Sequence, residues 1–437
     1  MSLRQIEEVM KDSGGRVGDK KDNLISKLHD DDSGNPAGAG KTDSSSALQL
    51  FLNHIPISSI PGIRNPPVLE LKTGDSLRDA IRLLYEKNVS GAPIADVVVD
   101  PNAAARRFSD RYIGFIDFAS MLLWSLERSE KDQINTEGDG DDNEASSSGI
   151  FSMLEQNPHI GQTKVGELAK SFLWDPFLPV NLDDTLFHVL LLLSKHRLKV
   201  VPVIEQSDSQ VIGFVTQNAV IQLLLQSSGL EWFDNIANKA LTEFRLENED
   251  RVPQAFEDQS IAEALHILWE SQISAVAVVN RETNRLTGCV RSSDVHLLLD
   301  NGHLFHNRKS ISVEQFIHLD GGKLDSDPTI EQDLGALLLE GILRLKNSFL
   351  PRMDLPVINK KTDTLKQAMK NMAETKSNFS FLVDERQQAT GVLTLREIIV
   401  QFAPPCVDSR INGVGFFESA LEQSGCHVEG GSIVCNH

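Results

Sequence analysis

The sequence predicts an α+β fold made of four copies of one helix–strand–strand–helix unit. Three observations predict it: four amphipathic helix stripes in identical register, a short apolar strand centred sixteen residues after each stripe begins (77 to 93, 186 to 202, 261 to 277, 365 to 381), and a glycine-bearing second strand followed by an apolar helix in every copy. Self-similarity of this kind is the signature of a fold whose units bury one another's apolar faces.

Each copy opens with a hydroxyl residue able to cap a helix, Ser76, Thr185, Ser260 or Thr364, with Asp75, Asp184, Asp258 or Asp363 just upstream. The stripes that follow are Leu77, Ala80, Ile81 and Leu84; Leu186, Val189, Leu190 and Leu193; Ile261, Ala264, Leu265 and Leu268; Leu365, Ala368, Met369 and Met372. All use offsets 0, 3, 4 and 7, which line one face of a helix. The first strands, around Pro93, Val200 to Ile204, Val276 to Val279 and Phe379 to Val383, are apolar without alternation and so predict burial on both faces. The second strands open with Gly114, Gly213, Gly288 and Gly391, and residues 97 to 110 read as a hairpin inserted into the first copy. A closing helix is led by Met121-Leu122, Ile221, Val295 and Ile398-Ile399.

Boundaries follow from these marks. Residues 1–47 are expected to be disordered, 48–129 form unit one, 130–160 an acidic Gly/Ser-rich linker, 161–230 unit two, 231–303 unit three, 304–403 unit four and 404–437 a tail. Residues 321 to 328 form a turn-rich stretch in the approach to unit four.

The composition, 40% hydrophobic and 24% charged, is that of a packed water-soluble chain. With 42 Lys plus Arg against 62 Asp plus Glu, the net charge of −20 opposes nucleic acid and anionic lipid as partners. No apolar run has the length of a membrane span, and Met1 to Asp31 lacks the apolar core of a signal peptide. The four cysteines suggest no disulfide framework, and Cys426, His427, Cys435 and His437 fit no compact zinc spacing. The sequence carries no phosphate-binding glycine loop, no His-Glu-x-x-His, no Gly-x-Ser-x-Gly and no kinase motif, so an enzyme is not expected.

Units with this spacing, with Pro-Val in the first strand and Gly-apolar-apolar-Thr starting the second, resemble cystathionine-β-synthase (CBS) domains. The resemblance implies that units associate as two Bateman modules in a pseudo-fourfold disc, each module with two nucleotide clefts. Four units with no catalytic domain resemble the γ-subunit family of AMP-activated and sucrose-non-fermenting-related protein kinases. The phrases Asp110 to Gly114, Trp174 to Leu178 and Gly229 to Phe233 are similar to its plant branch, and the likeness covers residues 50 to 402. What it implies is a regulatory, non-catalytic protein of cytoplasm or nucleus, partnered by a kinase catalytic subunit and a β-type subunit. It requires no cofactor, and AMP, ADP or ATP are the candidate ligands.

In that family an adenosine cleft pairs a hydroxyl with an aspartate three residues later, whose two oxygens match ribose hydroxyls, and adds basic residues before the first strand. This sequence departs from the pattern in all four units. Unit one has Asp117 and Ser120 in reversed roles, unit two Thr216 with Ala219, unit three Arg291 with Asp294, and unit four Thr394 with Glu397. Ahead of the first strands stand Ser90, Lys199, Gln272 and Asn378, of which only Lys199 is charged. The candidate ligand residues are therefore Asp294, Arg291, Thr394, Glu397, Thr216 and Lys199. Thr394 with Glu397 reads equally as a capping box, Thr216 as a cap, and Asp294 as an acid at a helix start. His188, His196, His266 and His296 lack a catalytic partner nearby in sequence and read as structural or surface residues. A scaffold with eroded clefts and an adenosine-nucleotide sensor acting on another enzyme are the two functional expectations.

Overall fold

The structure, a computed structural model, describes residues 44–60, 63, 68–96, 111–135, 149–169, 176–196, 198–205, 210–246, 252–319, 343–346, 351–404, 426–429 and 432–435. The 97–110 insertion, including Arg106-Arg107, and the turn-rich 321–328 stretch lie outside them, as do Trp174 and Asp110.

Four three-stranded sheets repeat one topology, with the strand before the first helix parallel to the central strand and the last strand antiparallel to it. In chain order they are β1 to β3 (Leu71–Lys72, Gly91–Ala95, Tyr112–Asp117), β4 to β6 (Val180–Asn181, Val200–Ile204, Val211–Thr216), β7 to β9 (Gln254–Phe256, Ala275–Val279, Leu286–Arg291) and β10 to β12 (Ile358–Lys360, Phe379–Val383, Ala389–Thr394). The first helices are Leu77–Glu86, Leu186–Lys195, Ile261–Ser271 and Leu365–Glu374, and all sixteen stripe residues are buried. The capping hydroxyls of Ser76, Thr185, Ser260 and Thr364 each accept the N–H three residues on, at 3.2 to 3.4 Å. The upstream acid acts one step earlier. Asp75, Asp184 and Asp363 accept the N–H of Lys72, Asn181 and Lys360 and close the turn from strand to helix. In unit three Gln259 makes that bond to Phe256, while Asp258, one place out of register, holds Arg281 instead.

The predicted central residues, Pro93, Pro202, Ala277 and Phe381, sit in the middle of β2, β5, β8 and β11. Their identity sets the length of the neighbouring strand. Ala277 and Phe381 donate their N–H to Pro253 and Val357. Proline has no such donor, and β1 and β4 accordingly have two residues where β7 and β10 have three. The glycines are the third residue of each last strand rather than its first. The residue before each of them, Ile113, Ile212, Thr287 or Thr390, is skipped in the pairing register, so the same bulge occurs four times. A β-carbon on Gly213 would collide with the carbonyl oxygen of Ile63, and one on Gly288 would press on that of Met353.

Units one and two meet through their sheets, around Tyr112, Phe115, Val200 and Phe214. Units three and four do the same around Ala277, Cys289, Phe379 and Phe381. Helices join unit one to unit three and unit two to unit four. The four contacts close a ring, the arrangement that the family resemblance implied. Burial pushes the Cys289 thiol up to about 12, so it packs as a small apolar group rather than reacting.

The segments between units are exchanged within each pair. Ser44–Asn53 and Ile57–Ser59, ahead of unit one, pack on unit two, where Pro56 bridges Thr185. Ile150–Gln156, Pro158–Gly161 and Val165–Ala169, ahead of unit two, pack on unit one, where Lys164 bridges Ser76. Glu231–Ala237 packs on unit four with Ala240 bridging Thr364, and Val313–Ile317 on unit three with Ser312 bridging Ser260.

Two sequence boundaries differ in the structure, and the tail gains a described element. The linker expected at 130–160 is too wide, because unit one's closing helix runs from Phe118 to Asn135 and helix resumes at Ile150. The disordered N-terminal segment expected to end at 47 overlaps a helix that begins at Ser44. The tail contains a hairpin, Cys426–Glu429 paired with Ser432–Cys435. Among the described residues no helix is long and apolar enough to cross a membrane.

Candidate functional site

Five of the six candidate residues, Thr216, Arg291, Asp294, Thr394 and Glu397, stand where last strands hand over to closing segments, and Lys199 stands just ahead of a first strand. In unit four, Thr394 caps Leu395–Phe402 by accepting the Glu397 N–H at 3.3 Å, and Glu397 accepts the Thr394 N–H at 2.7 Å and its hydroxyl at 2.9 Å. Glu397 is 4% exposed, and its carboxylate closes a capping box with Thr394. Thr394→Ala is expected to lower stability by about 1 kcal/mol in urea unfolding, the ordinary worth of an N-cap; a loss that appears only with a nucleotide present would contradict the capping role. In unit two, the Thr216 hydroxyl accepts the Ala219 N–H at 3.2 Å and does nothing further in the described contacts.

Unit three differs from its siblings. Its closing segment starts as a 3-10 turn, Ser292–His296, before the short helix Leu297–Asp300, so Asp294 is not in the first turn of a regular helix. Arg291 stands where the hydroxyl was expected. Its Nε donates to Asp294 Oδ2 at 2.8 Å, one terminal nitrogen to Oδ1 at 2.9 Å, and the other to the Pro351 carbonyl at 2.7 Å. The Arg291 N–H also reaches Asp294 at 3.2 Å. Both residues are buried, at 8% and 5% exposure, and the carboxylate that would hold a ribose is held by the chain's own guanidinium.

Lys199, the one charged residue ahead of a first strand, lies across the module from Asp117. Its ammonium donates to Asp117 Oδ2 at 2.8 Å, and the same carboxylate accepts the N–H and hydroxyl of Ser120 at 2.7 and 2.9 Å. Burial opposes the charge on Asp117, but Lys199 and the Ser120 donors outweigh it and hold the carboxyl below its usual range. A carboxyl lowered on folding adds stability above its unfolded value, near 4, and that stability is lost as pH falls through the folded value. Asp117→Asn should therefore lower stability at pH 7 by under about 1 kcal/mol, because Lys199 is largely exposed. The gap to wild type should close in acid titration below pH of about 4; a gap that persists there would contradict the ion pair.

The other first-strand approaches are also occupied. The Ser90 N–H donates to the Leu343 carbonyl at 2.6 Å, and Asn378 accepts from Asn218 at 2.6 Å. In unit three the equivalent of Ser90 and Asn378 is Ser274, not Gln272. Ser90, Ser274 and Asn378 each accept the N–H that starts the closing segment, whereas Gln272, like Asn88 and Lys376, makes the left-handed turn three residues before its strand. Two concavities lie elsewhere. One, of ≈290 Å³, is a groove over Asp75, Asp79, Arg82 and Glu86, and the other, of ≈10 Å³, lies between Leu126, Glu127, His266 and Arg308; neither touches the six residues. Among the described residues no group of three or more His, Cys, Asp or Glu could hold a metal. Of the histidines, His266 meets the mostly buried Glu127 of unit one at 2.9 Å, and His188 meets Asp184 at 3.4 Å at the surface.

A family model described as the CBS domain matches residues 165–226, which is unit two with its approach, and the other units share its elements in the same order. The SNF1-related protein kinase regulatory subunit gamma-1 of Arabidopsis thaliana is 25% identical over 372 residues, 81% of this chain and 83% of that one. The chain carries a CBS domain and is similar over most of its length to this γ-type regulatory subunit. A second Arabidopsis thaliana member, SNF1-related protein kinase regulatory subunit gamma-1-like, is 24% identical over 330 residues, 62% of this chain and 73% of its own. Protein MJ1225 of Methanocaldococcus jannaschii aligns with a TM-score of 0.49 at 14% identity, covering 80% of this CBS protein and 100% of itself.

Sequence reasoning overlooked the internal partners. An acid three residues after Arg291 was visible and signals an ion pair at helical spacing. Nothing local could have joined Lys199 to Asp117, which are 82 residues apart, or Ser90 to Leu343.

Proposed function

We propose that this CBS protein is a non-catalytic, γ-like regulatory subunit of a sucrose-non-fermenting-related Ser/Thr protein kinase complex, acting as a scaffold in cytoplasm or nucleus. Its partners in this reading are the kinase catalytic subunit and a β-type subunit. The observation that carries the scaffold reading is the Arg291–Asp294 pair: the carboxylate best suited to a ribose is buried and bidentately bound by a neighbouring side chain. A nucleotide would have to break two charged hydrogen bonds there, each worth about 1.5–3 kcal/mol, in a protein whose net charge of −20 opposes phosphate. The regulatory subunits among its relatives support the absence of an active site.

Two measurements test this. Affinity purification of the tagged chain from its native extract should recover a protein kinase catalytic subunit, and recovery of none sinks the complex. Thermal unfolding with AMP, ADP or ATP in large excess should leave the midpoint unchanged. A sensor saturated at 100 times its dissociation constant would gain about 2.7 kcal/mol, so a shift of that size would establish the adenosine-nucleotide sensor reading instead.

A further inference from the structure

The residues Leu343 to Lys346 lie on the approach to unit four, yet they run along the edge of unit one. Arg344 bridges Val89 in antiparallel register. The Leu343 carbonyl accepts the Ser90 N–H at 2.6 Å, and the Leu345 N–H donates to the Asn88 carbonyl at 3.1 Å. Asn88 turns left-handed, with φ of 55°, and its side-chain oxygen accepts the Lys346 N–H at 2.7 Å. The side chains of this short bridged segment then go to three different places. Leu345 is 4% exposed in the helical core shared by units one and three, and Leu343 packs on the sheet interface of units one and two. The Lys346 ammonium sits 4.4 Å from the Tyr85 ring centroid and donates to Asp300 of unit three at 2.6 Å and to the Tyr85 hydroxyl at 3.2 Å. Backbone pairing, two apolar pockets and one cation site are what a strand-adding peptide uses for affinity and specificity.

We propose that the Asn88–Ser90 edge of unit one is a binding site for an extended apolar-basic-apolar-basic peptide, and that Leu343 to Lys346 occupy it in cis as a displaceable latch. The latch covers the backbone of Ser90 and fastens the second module to the first through Asp300 and Tyr85. The proposal deepens the self-occupied reading of the clefts but is independent of any kinase partner.

The test uses the full chain and a fluorescent peptide carrying residues 341–348. A short tether gives the cis segment an effective concentration of about millimolar, so wild type should resist micromolar peptide. The double variant Leu343→Ser with Leu345→Ser should bind it at least about tenfold more tightly. Adding Asn88→Gly, which keeps the left-handed turn but removes the acceptor for Lys346, should weaken that binding again. Equal binding to wild type and latch variant, or none to a latch variant with native circular dichroism, overturns the proposal. If the double variant does not fold, hydrogen exchange of wild type decides. The Ser90, Leu345 and Lys346 amides should exchange together and faster than Ile94 in β2, and exchange of all of them only by global unfolding overturns a displaceable latch.

Discussion

Phe233→Ala is expected to lower the stability of the chain by about 3–5 kcal/mol, the usual result of emptying a large aromatic from a core. Phe233 belongs by sequence to the approach of unit three. Its ring is wholly buried, stacks on Phe402 of unit four at 5.5 Å and 10°, meets Trp232 edge-on at 5.9 Å, and has the Lys366 ammonium 5.6 Å from its centroid. The loss should therefore fall on unit four, although Phe402 lies 169 residues further along the chain, and hydrogen exchange should show the Leu365–Glu374 and Leu395–Phe402 helices loosening before β7 to β9. Phe51→Ala, which removes a ring 38% exposed beside the same Trp232, should cost under about 1 kcal/mol. Urea midpoints of the two variants read the comparison. A Phe233 loss no larger than that of Phe51 would rule out the exchange of approach helices between units.

The second large effect concerns the unit three cleft. Asp294→Ala leaves the Arg291 guanidinium buried without its carboxylate and should cost about 3–5 kcal/mol, whereas replacing both partners by apolar side chains, Arg291→Met with Asp294→Leu, should recover most of that. The asymmetry separates two roles. If Asp294 were a ligand residue with little structural duty, the single change would scarcely move the urea midpoint and would abolish a nucleotide response. If the pair is a closed internal bond, the midpoint drops and no nucleotide response exists to be lost. A single-variant cost below about 1 kcal/mol would discredit the internal pairing.

Much of this arrangement could be read from residue spacing alone, for a definite reason. Helix stripes, capping hydroxyls and strand centres are short-range features: Leu77, Leu186, Ile261 and Leu365 each start a helix because the preceding hydroxyl caps it and the next seven residues supply one apolar face. The pairing of units was legible only through the family likeness, since identical apolar faces do not say which copy they meet. Illegible altogether were features that depend on contacts between distant residues. The exchange of approach helices puts Ile150 to Ala169 against unit one, and no periodicity marks it. The glycines at 213 and 288 were noticed but their cause was not, because the carbonyls of Ile63 and Met353 that press on them arrive from other units. At the candidate positions the contacts were decided by partners such as Pro351 and Asp117 that no motif includes.

Reciprocal exchange also shapes how the polypeptide must mature on the ribosome. When the strands of unit one have emerged, the helices that roof it, up to Ala169, are still to be translated, and those helices lead into unit two, whose own roof was made first. Neither half of a pair can ripen before the other, so no single unit completes its own roof. For the same reason, a protease nick between Asn135 and Gly149 should yield two fragments that travel together through a sizing column.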